Sequence, residues 1–112
     1  MEFLGGDMFN KDIKIIIKDF INNEYGHNPE EGEKIAKYIE ENFKGKSKLI
    51  LDFSGIKSIN TAFANKIIYS LYKNYSAEIL NKCFELRNYN ELIKETIRRV
   101  IENYKEVNAN DM

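Results

Sequence analysis

Two hydrophobic spacings alternate along this chain, and their alternation restricts the folds open to it more than any single motif does. In DIKIIIKDF, Asp12 to Phe20, residues Ile13, Ile15 and Ile17 fall on one side of an extended backbone and Lys14, Ile16 and Lys18 on the other, which is strand spacing. Ile35, Ile39 and Phe43 then recur at intervals of four. Ahead of them stand Asn28, a residue type that caps helices, Pro29, which suits a first turn, and two glutamates that favour the positive helix end. This predicts a helix from about Pro29 to Phe43, closed by Lys44-Gly45, because glycine commonly follows a helix. Leu49 to Phe53 is a short apolar run between polar residues, as in a strand buried on both faces. Phe63, Ile67, Leu71 and Tyr75, with Ala64, Ile68 and Tyr72 beside them, give a second helix. Cys83 to Leu86 predicts a brief strand, and Leu92, Ile93, Ile97, Val100, Ile101 and Tyr104 a third amphipathic helix with a charged outer face.

Strand, helix, strand, helix, strand, helix is the order of an α/β fold, a mostly parallel sheet covered by amphipathic helices and joined by right-handed crossovers. The expected core includes Ile15, Ile17, Leu49, Leu51, Phe53, Ile67, Leu71, Ile97 and Ile101. At 112 residues the chain fits one domain, residues 1–112, with its core between about 12 and 105. Residues 1–10 read as an edge strand or a tail, and Val107 to Met112 as a polar tail.

Composition narrows the function classes. Forty-three per cent hydrophobic and 31% charged residues mark a globular chain, and 17 basic against 18 acidic residues give a net charge of -1. No overall field therefore draws it to nucleic acid or an anionic membrane. The absence of an apolar span of about 20 residues and of a signal-peptide pattern leads to the expectation of a cytoplasmic protein without membrane contact. One cysteine excludes an internal disulfide and any multi-cysteine metal site. No metal or cofactor is expected.

In parallel sheets ligands gather at the C-terminal strand ends, which here are served by three polar loops, Asn22 to Asn28, Ser54 to Asn60 and Arg87 to Asn90. The second loop leads into a helix N-terminus, whose unpaired N–H groups and dipole favour an anion. The plainer use of its Ser54, Ser58, Asn60 and Thr61 is to cap the helix, through Asn60 or Ser58, and to satisfy turn backbone. His27, the one histidine, lies on the same edge and reads as a base, a pH-sensitive contact or a surface residue. Asp52 reads as a strand-end carboxylate or an acceptor for loop N–H groups, and Cys83 as a small core residue. No phosphate-binding glycine motif occurs. Lys94, Arg98 and Arg99 alternate with Glu91, Glu95 and Glu102, as on a solvated, salt-bridged helix, and Tyr69, Tyr72 and Tyr75 read as core-edge residues.

LILDFSGIKSINTAFANKIIYSL, Leu49 to Leu71, resembles the strand, loop and helix of STAS domains, and particularly of STAS-like domains of unassigned function. GHNPEEGEKIAKYIEENF, Gly26 to Phe43, and CFELRNYNELIKETIRRVI, Cys83 to Ile101, resemble the upstream helix start and the closing strand and helix of the STAS-like group. The resemblance implies a non-enzymatic regulatory module that docks a signalling protein. In anti-sigma factor antagonists, a related group, that partner is a histidine-kinase-like ATPase, and a phosphorylated serine precedes a glycine in the pattern Asp-Ser-Ser-Gly-Leu. By spacing this chain offers Asn60, Thr61, Ala62, Phe63 and Ala64, which puts Ala62 in the serine's place and Phe63 in the glycine's. Alanine cannot be phosphorylated, so the resemblance implies the docking surface more strongly than the switch, and Thr61 is the remaining hydroxyl to carry a phosphate. The implied partner surface comprises Ser54, Ser58, Asn60, Thr61, Ala62, Asn65 and His27. From a different class, a small-molecule or nucleotide-binding protein, an enzyme among the options, would use Asp52, Ser54, Thr61, His27 and Arg87 at the strand ends.

Overall fold

The computed structural model describes residues 11–110; residues 1–10, read above as an edge strand or tail, lie outside them. Along these residues run β1 (Ile13–Ile16), α1 (Ile17–Ile21), β2 (Tyr25–Gly26), α2 (Pro29–Asn42), β3 (Leu49–Asp52), β4 (Ser58–Ile59), α3 (Thr61–Asn74), α4 (Ala77–Cys83), β5 (Phe84–Arg87) and α5 (Glu91–Asn110). β1, β3 and β5 form a parallel sheet with β3 at its centre, in the register Ile15 to Leu51 to Leu86. A second, two-stranded parallel sheet joins β2 to β4, pairing Tyr25 with Ser58 and Gly26 with Ile59. The α/β class and the parallel sheet expected from the hydrophobic spacing are present.

Alternation along the strands assigns the two faces of the main sheet. Ile13, Ile15, Leu49, Leu51, Phe84 and Leu86 share one face, and the core lies beneath it. α3 contributes Phe63, Ala64, Ile67, Ile68 and Leu71 to that core, α2 contributes Ile35 and Ile39, and α5 contributes Ile93, Ile97 and Val100. The opposite face carries Lys14, Ile16, Ile50, Asp52, Glu85 and Arg87, of which Lys14, Ile16 and Arg87 are exposed. Of the expected core residues all are buried except Ile101, which is half-buried against the core.

Several elements differ from the sequence expectation. Strand spacing from Asp12 to Phe20 breaks at Ile17, where α1 begins; Ile17 and Ile21 are both buried and stand one helical turn apart. α4 has no counterpart in the sequence reading, because its only buried residue is Leu80. Cys83 consequently ends a helix instead of lying in a strand; its side chain is half-buried, with Sγ 3.8 Å from the Gly45 carbonyl. Leu92 is 66% exposed and belongs to no core stripe. The polar run from Val107, expected as a tail, is helical as far as Asn110. α2 ends at Asn42 rather than at Phe43. On α5, Arg98 pairs with Glu95 at 2.9 Å and with Glu102 at 2.6 Å, the salt-bridged outer face that the charge alternation implied.

The contact that sets the spacing of the helices is made by Phe63. Its side chain is fully buried, and a β-carbon placed on Gly26 would lie 3.0 Å from its ring, while one on Gly32 would lie 2.6 Å from its backbone oxygen. Two residues without side chains thus make room for one large side chain and for close approach of α2 to α3. Replacing a helix glycine by alanine ordinarily gains up to about 1 kcal/mol. Gly32→Ala is expected to have the opposite sign and to destabilise by about 1–3 kcal/mol, because the obstructing atom is backbone and cannot rotate away. Urea denaturation of the two proteins measures it, and a more stable Gly32→Ala would contradict the close packing.

Candidate functional site

The polar loops at the C-terminal strand ends do converge, and they converge on one another. Past β3 the chain turns through Gly55, at φ +77°, and Ile56 donates its N–H to the Phe53 carbonyl at 3.0 Å. It then runs beside the β1–α2 connection as β4. Lys57 N–H donates to the Glu24 carbonyl at 2.7 Å, and Asn60 N–H to that of Gly26 at 2.9 Å. The Lys57 ammonium also pairs with the Glu24 carboxylate at 3.2 Å, which raises the lysine above its ordinary value. The third loop joins through Asn90, whose amide donates to the Lys57 carbonyl at 2.9 Å while its oxygen accepts from Ile93 N–H at the start of α5.

Of the two candidate caps, Asn60 and Ser58, it is Asn60 that caps α3, its side-chain oxygen accepting from Phe63 N–H at 2.9 Å. Its amide simultaneously donates to the His27 carbonyl at 3.0 Å. A single asparagine therefore holds the helix start against the neighbouring loop. His27 Nε2 and Ser58 Oγ share a hydrogen bond of 3.0 Å, and the imidazole lies 5.5 Å from the Tyr25 ring. Thr61 and Ala62 follow at the first turn of α3 with both side chains exposed, and Asn65 stands half-buried one turn on. Thr61, Ala62, Asn60, Ser58 and His27 are thus neighbours at the junction of β4, α3 and the β2–α2 turn.

Ser54 belongs to a separate cluster at the end of β3. Asp52 is the one buried charged residue among those described, at 6% exposure. It accepts from the Asn88 amide at 2.9 Å and from Ser54 N–H at 2.9 Å, with Lys14 Nζ at 3.6 Å. The Asn88 bond does most to hold its carboxyl down at about 2, helped by Ser54 and Lys14 and opposed by burial. Asn88 itself sits at φ 57°, a left-handed conformation that asparagine tolerates, which turns its amide toward the strand end. Arg87 is turned to Glu85, Nε to carboxylate at 2.6 Å. Of the five residues of the ligand-binding alternative, Asp52 and Ser54 are bonded together, Arg87 stands beside Asp52 in the register but is turned to Glu85, His27 is bonded to Ser58, Thr61 opens α3, and no side-chain hydrogen bond or ion pair among the described residues links these groups. Among the described residues no group of three or more His, Cys, Asp or Glu is arranged to hold a metal ion.

Beside Ala62 an open groove of about 580 Å³ runs between α2 and α3, with Pro29 and Glu40 on one wall and Ala62, Asn65 and Tyr69 on the other. The sequence reading did not single out this groove. Its signal was present, since Ala62, Asn65, Lys66, Tyr69 and Lys73 recur at helical spacing on the side of α3 away from the apolar stripe. Tyr69, read there as a core-edge residue, is 37% exposed and packs edge-on against Tyr104 at 5.0 Å.

Comparison with known families finds one whose model, described as STAS-like domain of unknown function (DUF4325), matches residues 31–94. The match takes in more than half of the chain, from α2 to the beginning of α5, and contains every residue of the expected partner surface except His27. No curated protein and no solved structure matches the chain. No helix among the described residues is long and apolar enough to cross a membrane.

The ionised Asp52 belongs to the folded state, since its carboxyl is held at about 2 against an ordinary 3.8. Its contribution is therefore complete above pH 4 and is lost as the pH falls through about 2. Asp52→Ala at neutral pH strands the Ser54 N–H and the Asn88 amide and should cost about 1–3 kcal/mol. Between pH 4 and 2 the wild type should lose more stability than Asp52→Asn, as read by chemical denaturation at each pH. Parallel decline of the two would assign the acid sensitivity to another group.

Proposed function

Because the chain belongs to the family of STAS-like domains, we propose that it is a non-enzymatic regulatory module that docks a signalling protein through the surface at the start of α3. The observation that carries this reading is the exposed pair Thr61 and Ala62, held in place by the four hydrogen bonds that Asn60 makes to α3, to Gly26 and to His27. Backbone position there is set before a partner arrives, which lowers the ordering cost of association. The neighbouring polar side chains bond to each other across the loops, so what faces outward is a shaped surface around Ala62 continuous with the α2–α3 groove. His27, Ser58 and Asn65 border it; Ser54, tied by its N–H to Asp52, belongs to the separate cluster at the end of β3.

The resemblance to anti-sigma factor antagonists points to a histidine-kinase-like ATPase as the partner class. With Ala62 where that group has its serine, docking here proceeds without a switch at that position. Thr61 is the residue that would restore one. It is the first residue of α3, its side chain is exposed, and the first turn of α3 holds no acidic residue. A phosphate on it would bring about -1.5 to -2 charges to the positive end of the helix dipole. The helix accommodates that charge, while a partner closing on Ala62 meets it directly.

Affinity capture from native cells tests the surface: wild type and Lys82→Glu, a change on exposed α4, should retain the same partner and Ala62→Glu should lose it. Retention by all three would remove the α3 surface from consideration, and thermal stabilisation by a nucleotide or metabolite would move the function to ligand binding. For Thr61, phosphopeptide mass spectrometry on protein from its own cells should find the modified residue. Thr61→Glu should bind more weakly than Thr61→Ala while its stability rises by about 0.3–1 kcal/mol from the charge at the helix N-terminus. Unmodified Thr61 together with equal binding by both variants would leave constitutive docking.

A further inference from the structure

Helix α3 differs from the other long helices in its charge. From Thr61 to Asn74 it contains two lysines, Lys66 and Lys73, and no acidic residue, whereas α2 carries Glu30, Glu31, Glu33, Glu40 and Glu41 against Lys34 and Lys37. Both lysines border the α2–α3 groove, both are exposed, and neither has an ion-pair partner among the described residues. The one acid bordering the groove, Glu40, accepts a hydrogen bond from Ser70 Oγ at 2.8 Å instead. Lys66 and Lys73 stand seven residues apart, about 10.5 Å along the helix at 1.5 Å per residue, with Tyr69 between them on the same face.

We propose that the groove between α2 and α3 takes an amphipathic helix of the partner protein, whose acidic residues, two turns apart, meet Lys66 and Lys73 while an apolar side chain between them packs on Tyr69. This rests on the reading of α3 as the docking surface and adds the chemistry of what docks. A third helix laid along two packed helices presents side chains at the same two-turn period as the lysines. Its polarity is fixed by the walls: acids face the two lysines of α3, and the side toward α2, where Glu40 borders the groove, carries basic or neutral residues. The chain's net charge of -1 provides no general attraction for an acidic partner, so recognition is confined to this strip.

A displayed library of amphipathic helical peptides selected on the full chain tests the proposal without knowledge of the partner. Selected peptides should carry Asp or Glu seven residues apart around an apolar residue. By fluorescence anisotropy they should bind Lys66→Glu/Lys73→Glu at least tenfold more weakly than wild type, bind Lys82→Glu unchanged, and weaken with added salt. The double variant should remain folded and melt slightly below the wild type, because neither lysine is ion-paired among the described residues and the one electrostatic loss is that of the Lys73 charge in the last turn of α3. Selection of peptides without acidic pairs, or equal binding by the double variant, would overturn the proposal. So would a concentration-dependent dimer, seen by light scattering, that the double variant abolishes, since the occupant would then be a second copy of the chain. Failure here with Ala62→Glu still losing the native partner leaves the docking surface intact, whereas success here with Ala62→Glu retaining that partner removes the docking reading and keeps the groove.

Discussion

Phe63 seated on two glycines is the constraint from which the functional end of the molecule follows. Its ring lies against Gly26 and its backbone against Gly32, so the two-residue β2 strand, the start of α2 and the start of α3 are held within van der Waals distance of one another. Interiors are packed too densely for a side chain to be added at either glycine without displacement. The side chain that fills this junction comes from Phe63, and the glycines lie on the elements that face it. Removal of side chains from Gly26 and Gly32 and addition of one at Phe63 are a single packing arrangement.

Once these elements are drawn together, the polar loops have partners within reach. The ladder of β2 with β4, the Asn60 bonds to His27 and Gly26, and the Asn90 bond to Lys57 satisfy backbone and amide groups that the three loops would otherwise expose. No buried side-chain polar atom among the described residues is left without a partner. Asp52 stays ionised at the buried strand end because Asn88, in its left-handed conformation, and the Ser54 N–H both donate to it. The loops are consequently bonded to one another, and the exposed side chains of Ala62, Lys66, Tyr69 and Lys73 lie along one face of α3.

Much of the fold was legible wherever an element was long enough for its buried face to repeat. The 14-residue helices α2 and α3 announce themselves through Ile35 and Ile39 and through Phe63, Ile67 and Leu71, with Asn28 and Asn60 as caps. Where an element is short, its period cannot be read. Ile17 satisfies both the strand alternation before it and the helical interval to Ile21 after it, so the change from β1 to α1 leaves no mark in spacing. β2 and β4, at two residues each, have no period, and α4 buries one side chain. Leu92 is apolar yet exposed, because it is off the face of α5 that carries Ile93 and Ile97.

The sequence by itself determined the α/β class, the central strand, the caps, the hydroxyl-rich loop before α3 and the family resemblance, since each depends on local spacing or on residue types within a few positions of one another. Tertiary structure alone decided which loop groups meet: His27 with Ser58 across 31 positions, Asn60 with the His27 carbonyl across 33, and Asp52 with the Asn88 amide across 36. It also decided that Lys66, Tyr69 and Lys73 border a groove instead of lying on an isolated helix. These pairings depend on how closely the helices and strands approach, a distance set by the missing side chains of Gly26 and Gly32, whose consequence appears only when Phe63 is brought against them.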